Sequence, residues 1–395
     1  MREPTPALTA AALVAVAFTL IVVTAACEPL ADGQDYVRAE VPIFVSRTPP
    51  PVADPGSPPR LRVMAWNIKY AAARIPFWFD CWGDRLTMSE AEVLANLEAL
   101  AKLIDEVQPD VLLLEEIEVG SKRSAYVDMV RWLLERGPFS HAAYFQTWQS
   151  RFIPAEGLGR MDLGNAILSR YPIVRAERIR QPDRTDQDAL TATFYIHRAV
   201  GRAELALPGG QNVAAFVVHT EAYDQDGTKQ RQIVQIRELV DAEPLPWVLG
   251  GDFNELPPTA LRTVGFPDER ETALCSDDFV QPPYTPEVLA PYFAAYVPWI
   301  PLDRFGTTDA EQARYFTHSV LGPDERNESG DAGDWNRTVD YLFVRPPDAW
   351  LSGTTDVLQR AGQRLGGDSG VGPVLVADPL RLSDHAPVVG VWELR

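Results

Sequence analysis

Residues 247–254 have the sequence Trp-Val-Leu-Gly-Gly-Asp-Phe-Asn, a short apolar run followed by two glycines and two polar side chains. The run has the length and apolar character of a strand that is covered on both faces. In an extended chain Asp252 and Asn254 point the same way, and the glycines let a ligand approach the backbone closely. The segment is therefore a candidate ligand site at a strand end. An ordinary turn is the alternative, because Gly, Asp and Asn are common turn residues.

Further strands are predicted along the chain, and several of them are also near-continuous apolar runs. They cover residues 61–68, 111–117, 165–171, 212–220, 339–345 and 386–393. Buried strands need covering layers, and amphipathic helices predicted over 89–107, 124–136 and 228–241 supply them. Ser89 and Glu92 form a capping-box pattern at the start of the first helix. The pattern predicts a mixed α/β sandwich.

The charge of the chain disfavours non-specific binding of nucleic acid but is compatible with binding of a single phosphate through a cation. The 395 residues include 36 basic and 55 acidic side chains, which give a formal charge of −19. Nucleic acids are bound chiefly through clustered Lys and Arg, so tight non-specific DNA binding is disfavoured. A bound divalent cation can still attract one phosphate, because the ion dominates the local field and distant charges are screened beyond about 8 Å at physiological salt.

Residues 1–27 resemble an export signal. Residues 7–26 carry no charge, Arg2 precedes them, and two small residues stand before Cys27, as in the lipobox of bacterial lipoproteins. Thr24 occupies a position where that motif usually has an aliphatic residue. A lipoprotein, a cleaved signal peptide and an uncleaved membrane span all remain open. Each predicts an extracytoplasmic protein, either secreted or held in the bacterial cell envelope.

Residues 28–60 are rich in proline, which blocks helix and favours extended chain, so this segment is predicted to be a tether. No second break of this kind follows, and residues 61–395 are predicted to form one catalytic domain. Cys81 and Cys275 are the two cysteines of that domain. They either form a disulfide or remain as free thiols.

Polar side chains also fall at the ends of other predicted strands, where α/β proteins commonly bind ligands. Asn67 ends the first strand, Glu115 and Glu116 end the second, and His219 ends another. An unpaired Glu116 beside its apolar run would be costly to bury, whereas a hard cation such as Mg²⁺ would make its burial favourable. A solvated surface acid is the alternative.

The late segment Ser383-Asp384-His385 precedes the last strand, and Asp340 lies in an otherwise apolar strand. An imidazole can donate to a phosphoryl oxygen or protonate a leaving group near neutral pH, and a carboxylate can fix its orientation. A local cap or turn is the alternative for the late segment. His141, His197 and His318 have no motif beside them and are predicted to be structural or solvated.

Taken in order, these motifs resemble the endonuclease/exonuclease/phosphatase superfamily. They are Trp66-Asn67, Asp110 to Glu116, Gly164 to Arg170, His219, Gly251 to Asn254, Val339-Asp340-Tyr341 and Ser383-Asp384-His385. The resemblance covers residues 61–395 and implies a four-layer α/β/β/α sandwich of two packed mixed sheets. It also implies a Mg²⁺-dependent phosphoric ester hydrolase in which Mn²⁺ can replace Mg²⁺.

Three matching positions would serve the metal. The resemblance makes Glu116 the main ligand, with Asn67 beside it and Asp384 near the ion. The family commonly has Gln where this chain has Glu115. The extra negative charge would either tighten metal binding or repel an anionic substrate.

Five matching positions would serve the chemistry. The resemblance implies that Asp252 orients the attacking water and that Asn254 contacts the phosphate. His385 would stabilise the pentacovalent phosphorus and would be oriented by Asp340. His219 would be the second histidine of the site, a feature of the deoxyribonuclease, sphingomyelinase and phosphatase branches.

The acidic charge and the export-like leader favour a lipid headgroup or a small phosphoester as the substrate. A secreted metal-dependent nuclease and a non-catalytic surface binding protein are the alternatives. The aromatic stretch 282–305 is predicted either to be core or, together with a lipid anchor, to contact a membrane surface. No protein partner is indicated.

Overall fold

The computed structural model of the protein describes residues 36–52, 54–77, 83–153, 157–268, 283–366 and 372–395. The predicted signal segment 1–27 lies outside these ranges, and so do Cys81 and Cys275, for which a disulfide and two free thiols were the alternatives. Within them, no helix combines the length and the apolar character that a bilayer span requires.

The strands alternate with short helices along the chain. The strands are β1 (Arg38–Glu40), β2 (Ile43–Val45), β3 (Arg60–Asn67), β4 (Val111–Glu118), β5 (His141–Ile153), β6 (Gly159–Ser169), β7 (Ile173–Arg180), β8 (Ala199–Ala206), β9 (Asn212–His219), β10 (Trp247–Asp252), β11 (Val297–Pro298), β12 (Asp340–Val344), β13 (Ala349–Trp350), β14 (Asp356–Val357) and β15 (Val388–Glu393). The α-helices are α1 (Glu90–Val107), α2 (Met129–Arg136), α3 (Ala189–Phe194), α4 (Thr228–Asp241), α5 (Ala290–Ala295), α6 (Leu302–Phe305) and α7 (Asp309–Gln312).

These strands form two mixed sheets. Sheet A has the strand order β13-β15-β3-β4-β6-β5-β2, with β14 paired to β15, and sheet B has the order β1-β7-β8-β9-β10-β12-β11. In sheet A, β3 and β4 are parallel; in sheet B, β9 and β10 are parallel. The carboxyl ends of these four strands carry the polar residues that the sequence singled out.

The sheets pack face to face, and helices cover their outer faces. Inward-facing residues of β3 and β4 join residues of β9, β10 and β12 in one buried cluster. The outer face of sheet A packs against α1, and the buried residues of α4, such as Ile233 and Ile236, pack against sheet B. The architecture is therefore the predicted four-layer α/β/β/α sandwich.

Helix α1 confirms its sequence signature. The Ser89 side chain accepts a hydrogen bond from the Glu92 backbone N–H, and the Glu92 carboxylate accepts one from the Ser89 backbone. Helix α2 is shorter than the predicted 124–136. It begins at Met129 because the Asp128 carboxylate accepts a hydrogen bond from the Arg131 backbone N–H and so caps the helix there.

Part of the predicted tether 28–60 belongs to the folded domain. Strand β1 pairs with β7 at the edge of sheet B, and β2 pairs with β5 at the edge of sheet A. The chain is extended, as its prolines require, but its backbone groups pair with both sheets instead of with water. Val41 and Ile43 pack against the core between the sheets.

Of the two interpretations of the aromatic stretch 282–305, burial in the core is the one that its described residues, 283–305, support. Tyr292, Trp299 and Phe305 are each 1% exposed. Trp299 makes edge-to-face contacts with Phe305 and with Tyr341 of β12, and Tyr292 packs on Phe343 of β12 with the ring planes tilted by 51°. These three rings pack against sheet B, and with 1% of their surface exposed they cannot contact a membrane.

Candidate active site

The sheets bring the predicted polar residues to one end of the sandwich. The parallel pair β3 and β4 places Asn67 opposite Glu115. The parallel pair β9 and β10 places Asp252 beside His219, and antiparallel β12 begins with Asp340 opposite Asp252. A common edge of two packed sheets therefore collects side chains that are far apart in sequence.

The carboxylate of Asp252 lies at the centre of the cluster and is 1% exposed. Its Oδ1 accepts a hydrogen bond from the Asn254 backbone N–H at 2.8 Å. Its Oδ2 accepts one from Asn67 Nδ2 at 3.3 Å and lies 3.4 Å from His219 Nε2. Gly251 is required here, because its φ is +134° and a Cβ would lie 2.1 Å from the Val218 carbonyl oxygen.

His385 stands between two carboxylates. Its Nδ1 lies 2.9 Å from Asp340 Oδ2, and its Nε2 lies 3.7 Å from Asp252 Oδ2. The Trp66 indole N–H donates to the His385 carbonyl oxygen at 2.8 Å, which anchors the backbone. Although burial lowers the pKa of His385, the charges of Asp340 and Asp252 outweigh it and raise the pKa to about 10. The ring is therefore an imidazolium at neutral pH.

Glu116 lies beside this cluster, at the irregularity that shifts the register between β4 and β6. Its φ is +53°, and its side chain is 25% exposed. Asn67 Nδ2 donates to Glu116 Oε1 at 3.2 Å, and His219 Nε2 lies 3.9 Å from the same oxygen. Burial and the charge of Asp384 raise the pKa of Glu116. A carboxylate in these surroundings favours a positively charged partner.

Lys69 completes this side of the site, and sequence reasoning missed it. It is buried, and its Nζ lies 3.2 Å from Asp384 Oδ2. Although burial raises the pKa of Asp384, Lys69 and His385 lower it below its ordinary value, so Asp384 is ionised. The only signal in the sequence is a charged residue two positions after the strand-end Asn67.

The donor set suits a hard divalent cation. Carboxylate oxygens of Glu116, Asp252, Asp340 and Asp384 converge on one end of the sandwich, and amide and imidazole groups lie among them. One set of possible ligand atoms, from Asp252, Asp340 and His385, lies within 4.8 Å of one another. Of the residues that the resemblance assigns to the metal, Asn67 donates through Nδ2 to Glu116 Oε1 at 3.2 Å, and Asp384 Oδ2 lies 3.2 Å from Lys69 Nζ.

Glu115 lies in different surroundings from its neighbour Glu116. It is 0% exposed, and both of its carboxylate oxygens lack a hydrogen-bond partner among the atoms that the structure describes. Burial, together with the charges of Asp340 and Asp252, raises the pKa of Glu115 well above its ordinary value. The raised pKa disfavours the negative charge that the sequence suggested for this carboxyl group.

His318 was also missed, since the sequence predicted a structural or solvated residue. Its ring centre lies 4.5 Å from that of His385, with 67° between the ring planes. The other two unassigned histidines lie elsewhere. His141 Nδ1 is 2.8 Å from Ser140 Oγ, and His197 Nδ1 is 3.0 Å from Asp183 Oδ1.

The fold and the site together define a class of protein: a two-sheet α/β sandwich with a carboxylate, amide and imidazole centre at one end. The model of the Endonuclease/Exonuclease/phosphatase family matches residues 64–385. The chain belongs to this family, whose members are hydrolases that act on phosphoester bonds. No curated protein sequence matches the chain.

The solved structures to which the chain is similar are distant in sequence. An endonuclease/exonuclease/phosphatase from Beutenbergia cavernae is 19% identical, and the alignment covers 85% of this chain and 72% of that chain with a TM-score of 0.48. An endonuclease/exonuclease/phosphatase from Bacteroides vulgatus is 14% identical, and the alignment covers 85% of this chain and 99% of that chain with a TM-score of 0.47. The human nocturnin catalytic domain with bound sulfate is 15% identical, and the alignment covers 89% of this chain and 97% of that chain with a TM-score of 0.45.

Proposed function

We propose that the protein is a divalent-metal-dependent phosphoester hydrolase in which water attacks phosphorus in line with the leaving group. One observation carries the proposal: the buried Asp252 carboxylate lies within 3.7 Å of Asn67, His219 and His385. A carboxylate surrounded by donors in this way is suited to orient a water molecule beside a phosphoryl group.

Asp252 is the proposed base. Burial raises its pKa to about 7, although the charge of His385 opposes this change. A group whose pKa lies near the working pH exchanges a proton most effectively, so Asp252 is poised to accept one from the attacking water. The hydrogen bond from the Asn254 backbone fixes one of its oxygens and leaves the other toward the site.

His385, Asn254 and His219 are the proposed donors to the phosphoryl group. Asp340 holds the His385 ring through Nδ1, which leaves Nε2–H to stabilise negative charge on the phosphorane. Burial and the charge of Arg198 lower the pKa of His219 well below its ordinary value, so this ring is neutral and donates without adding charge.

Glu116, Asn67 and Asp384 would hold Mg²⁺, or Mn²⁺ in its place. When bound, the cation supplies neutralisation of charge on the phosphoryl group and the leaving oxygen. The Lys69 ammonium orients Asp384, and Asn67 bridges the Glu116 and Asp252 carboxylates through its amide nitrogen. The two carboxylates are thereby held at a fixed separation before substrate arrives.

The proposed substrate is a lipid headgroup or a small phosphoester outside the cytoplasm. The net charge of −19 disfavours a long polyanion, and the signal-like segment 1–27 favours export, either anchored through Cys27 or secreted. Any membrane contact would come from that anchor, because the aromatic stretch is buried. A secreted nuclease remains the competing activity.

A substrate panel tests this proposal. The purified protein is assayed with Mg²⁺ and with excess chelator on plasmid DNA, RNA, sphingomyelin vesicles, phosphoinositide vesicles and nucleotides. We expect chelator-sensitive release of phosphate or headgroup, with lipids or small esters turned over faster than DNA. Faster nicking of the plasmid would replace the proposed substrate with nucleic acid. Absence of turnover across the panel would contradict the proposed activity.

A further inference from the structure

His318 lies outside the motifs named in the sequence analysis, yet its ring packs against the ring of His385. The contact is edge to face, with the ring centres 4.5 Å apart and 67° between the planes. Edge-to-face contacts of this kind are favoured between aromatic rings because the positive edge of one meets the negative face of the other. The proposed donor His385 therefore has an aromatic neighbour on one side.

The backbone holds His318 in that position. The segment 317–319 runs antiparallel to the segment 384–386, and an isolated β-bridge joins His318 to His385. The Ser319 N–H donates to the Asp384 carbonyl oxygen at 3.0 Å, and the Ala386 N–H donates to the Thr317 carbonyl oxygen at 2.6 Å. A second bridge joins His318 to Arg337, close to β12. The backbone of His318 is thus held from both sides, which places its side chain beside His385.

Asp340 alone does not fix the plane of the His385 ring. Its carboxylate contacts Nδ1 at 2.9 Å and 3.1 Å, and a contact at one nitrogen leaves the ring free to rock about that atom. Such a rotation would change the direction in which the Nε2–H of His385 points toward the reacting group. A ring packed on the side of the imidazole removes this freedom.

The nitrogen atoms of His318 do not explain its place. Its Nδ1 is buried without a hydrogen-bond partner among the groups that the structure describes. Among the described residues, neither ring nitrogen has a hydrogen bond that would account for a histidine at this position. The shape of the ring is the property that the site uses.

We propose that His318 is a positioning residue, whose ring fixes the plane of His385 and so aims Nε2 at the phosphoryl group. This inference rests on the proposed function. It adds a requirement for an aromatic ring at position 318 to the proposed site. A phenyl ring should satisfy this requirement, and a flexible polar side chain should not.

Three variants test the inference: His318→Ala, His318→Phe and His318→Gln. The matched control is His141→Ala, which removes a histidine that is bonded to Ser140 away from the site. On whichever substrate the protein turns over, we expect His318→Ala to lower kcat about 10- to 100-fold with KM within about twofold, as for a displaced reacting group. His318→Phe should recover kcat to within about threefold of wild type, and His318→Gln should resemble His318→Ala.

A second readout does not need turnover. Imidazole ¹⁵N spectra of the chelator-treated protein should show one sharp His385 ring signal in wild type and in His318→Phe, and a broadened signal in His318→Ala. Recovery of kcat by Gln but not by Phe would overturn the inference, because a nitrogen would then be acting directly. Wild-type kcat or an unbroadened signal in His318→Ala would also overturn it. If the wild-type protein turned over no substrate, this result would count against the proposed function. The spectra would still decide the role of His318.

Discussion

Glu115 and Glu116 are adjacent acids at the end of β4, and the structure gives them different chemistry. Glu116 lies at the edge of the site, where Asn67 donates a hydrogen bond to it and a cation could coordinate to its carboxylate. Glu115 is fully buried between the sheets with no partner for either oxygen among the described atoms. A buried acid without a partner is costly when charged, so burial raises the pKa of Glu115 above its ordinary value. Only the three-dimensional surroundings separate the two residues.

Glu115→Gln is predicted to stabilise the metal-free protein progressively as the pH rises. The pKa of Glu115 is raised in the folded protein above its ordinary value of 4.5, so the folded state retains a proton that the unfolded state releases. The stability of wild type should therefore fall relative to the variant by about 1.4 kcal/mol per pH unit above 4.5, until the folded-state pKa is reached. Urea unfolding at pH 5, 6, 7 and 8 with chelator measures the difference.

A difference between Glu115→Gln and wild type that stays constant across this pH range would show that Glu115 is ionised in the fold. The same pair of proteins tests the charge at the metal site. Because burial disfavours the negative charge of Glu115, the two should bind Mg²⁺ with affinities within about threefold in calorimetric titration, a difference of less than 1 kcal/mol.

At the scale of elements, apolar periodicity was the reliable guide. Helix α1 and the buried strands β3, β4, β9 and β10 were predicted because near-continuous apolar runs and a capping box mark them. Strands β5, β7 and β8 were missed because charged and polar residues interrupt them. Their charges are paired across the sheet, as with Glu177 of β7, which meets Arg38 and Arg202. A single sequence contains no sign of that pairing.

Strand β2 tests whether the proline-rich segment is part of the fold. Ile43 is partly buried against the core, whereas Val45 in the same strand is 53% exposed. We expect Ile43→Ala to lower the free energy of unfolding by about 1–2 kcal/mol, less than for a fully buried residue. Val45→Ala should change it by less than about 0.5 kcal/mol. Chemical denaturation of both variants makes the comparison, and equal, negligible effects would return the segment to the role of a tether.

The aromatic segment before β12 gives a second test at this scale. Trp299 is 1% exposed and packs edge to face on Tyr341, so Trp299→Ala should cost about 3–5 kcal/mol of unfolding free energy. Its vesicle binding per folded molecule should not change. Leu190→Ala, at a position 70% exposed on α3, is the control and should leave stability within about 0.5 kcal/mol. A vesicle-binding defect with normal stability in Trp299→Ala would restore the membrane-contact interpretation.

For the whole molecule, the site exists because two sheets end together. Asn67 and Glu116 come from sheet A, and His219, Asp252 and Asp340 come from sheet B. The sequence indicated these residues through their positions at strand ends and through the order of the motifs. Packing of the sheets then supplies the distances, such as 3.3 Å between Asn67 Nδ2 and Asp252 Oδ2, that no pattern contains.

Lys69 and His318 show why the remainder of the site was not predictable. Both lie in irregular segments that follow or precede strands, and both act on residues more than 60 positions away. Hydrophobic periodicity does not describe such segments, and a lone Lys or His is common on any surface. Their roles arise from contacts between loops, which depend on the completed fold.

In the proposed function, Asp252 and a divalent cation together promote hydrolysis of a phosphoester. The most direct measurement is the rate of hydrolysis of the best substrate from the panel by wild type, Asp252→Asn and Asp348→Asn, after chelation and again after Mg²⁺ is restored. Asp348 is a matched control: it is a buried acid, 4% exposed, which accepts a hydrogen bond from the Trp392 indole.

Wild type and Asp348→Asn should lose activity with the chelator and regain it with Mg²⁺ or Mn²⁺. Asp252→Asn should stay folded and lose about 10²- to 10⁴-fold in kcat with either ion, the loss typical of removing a positioned base. Turnover that survives the chelator, or a folded Asp252→Asn variant within about tenfold of wild type, would contradict the claim.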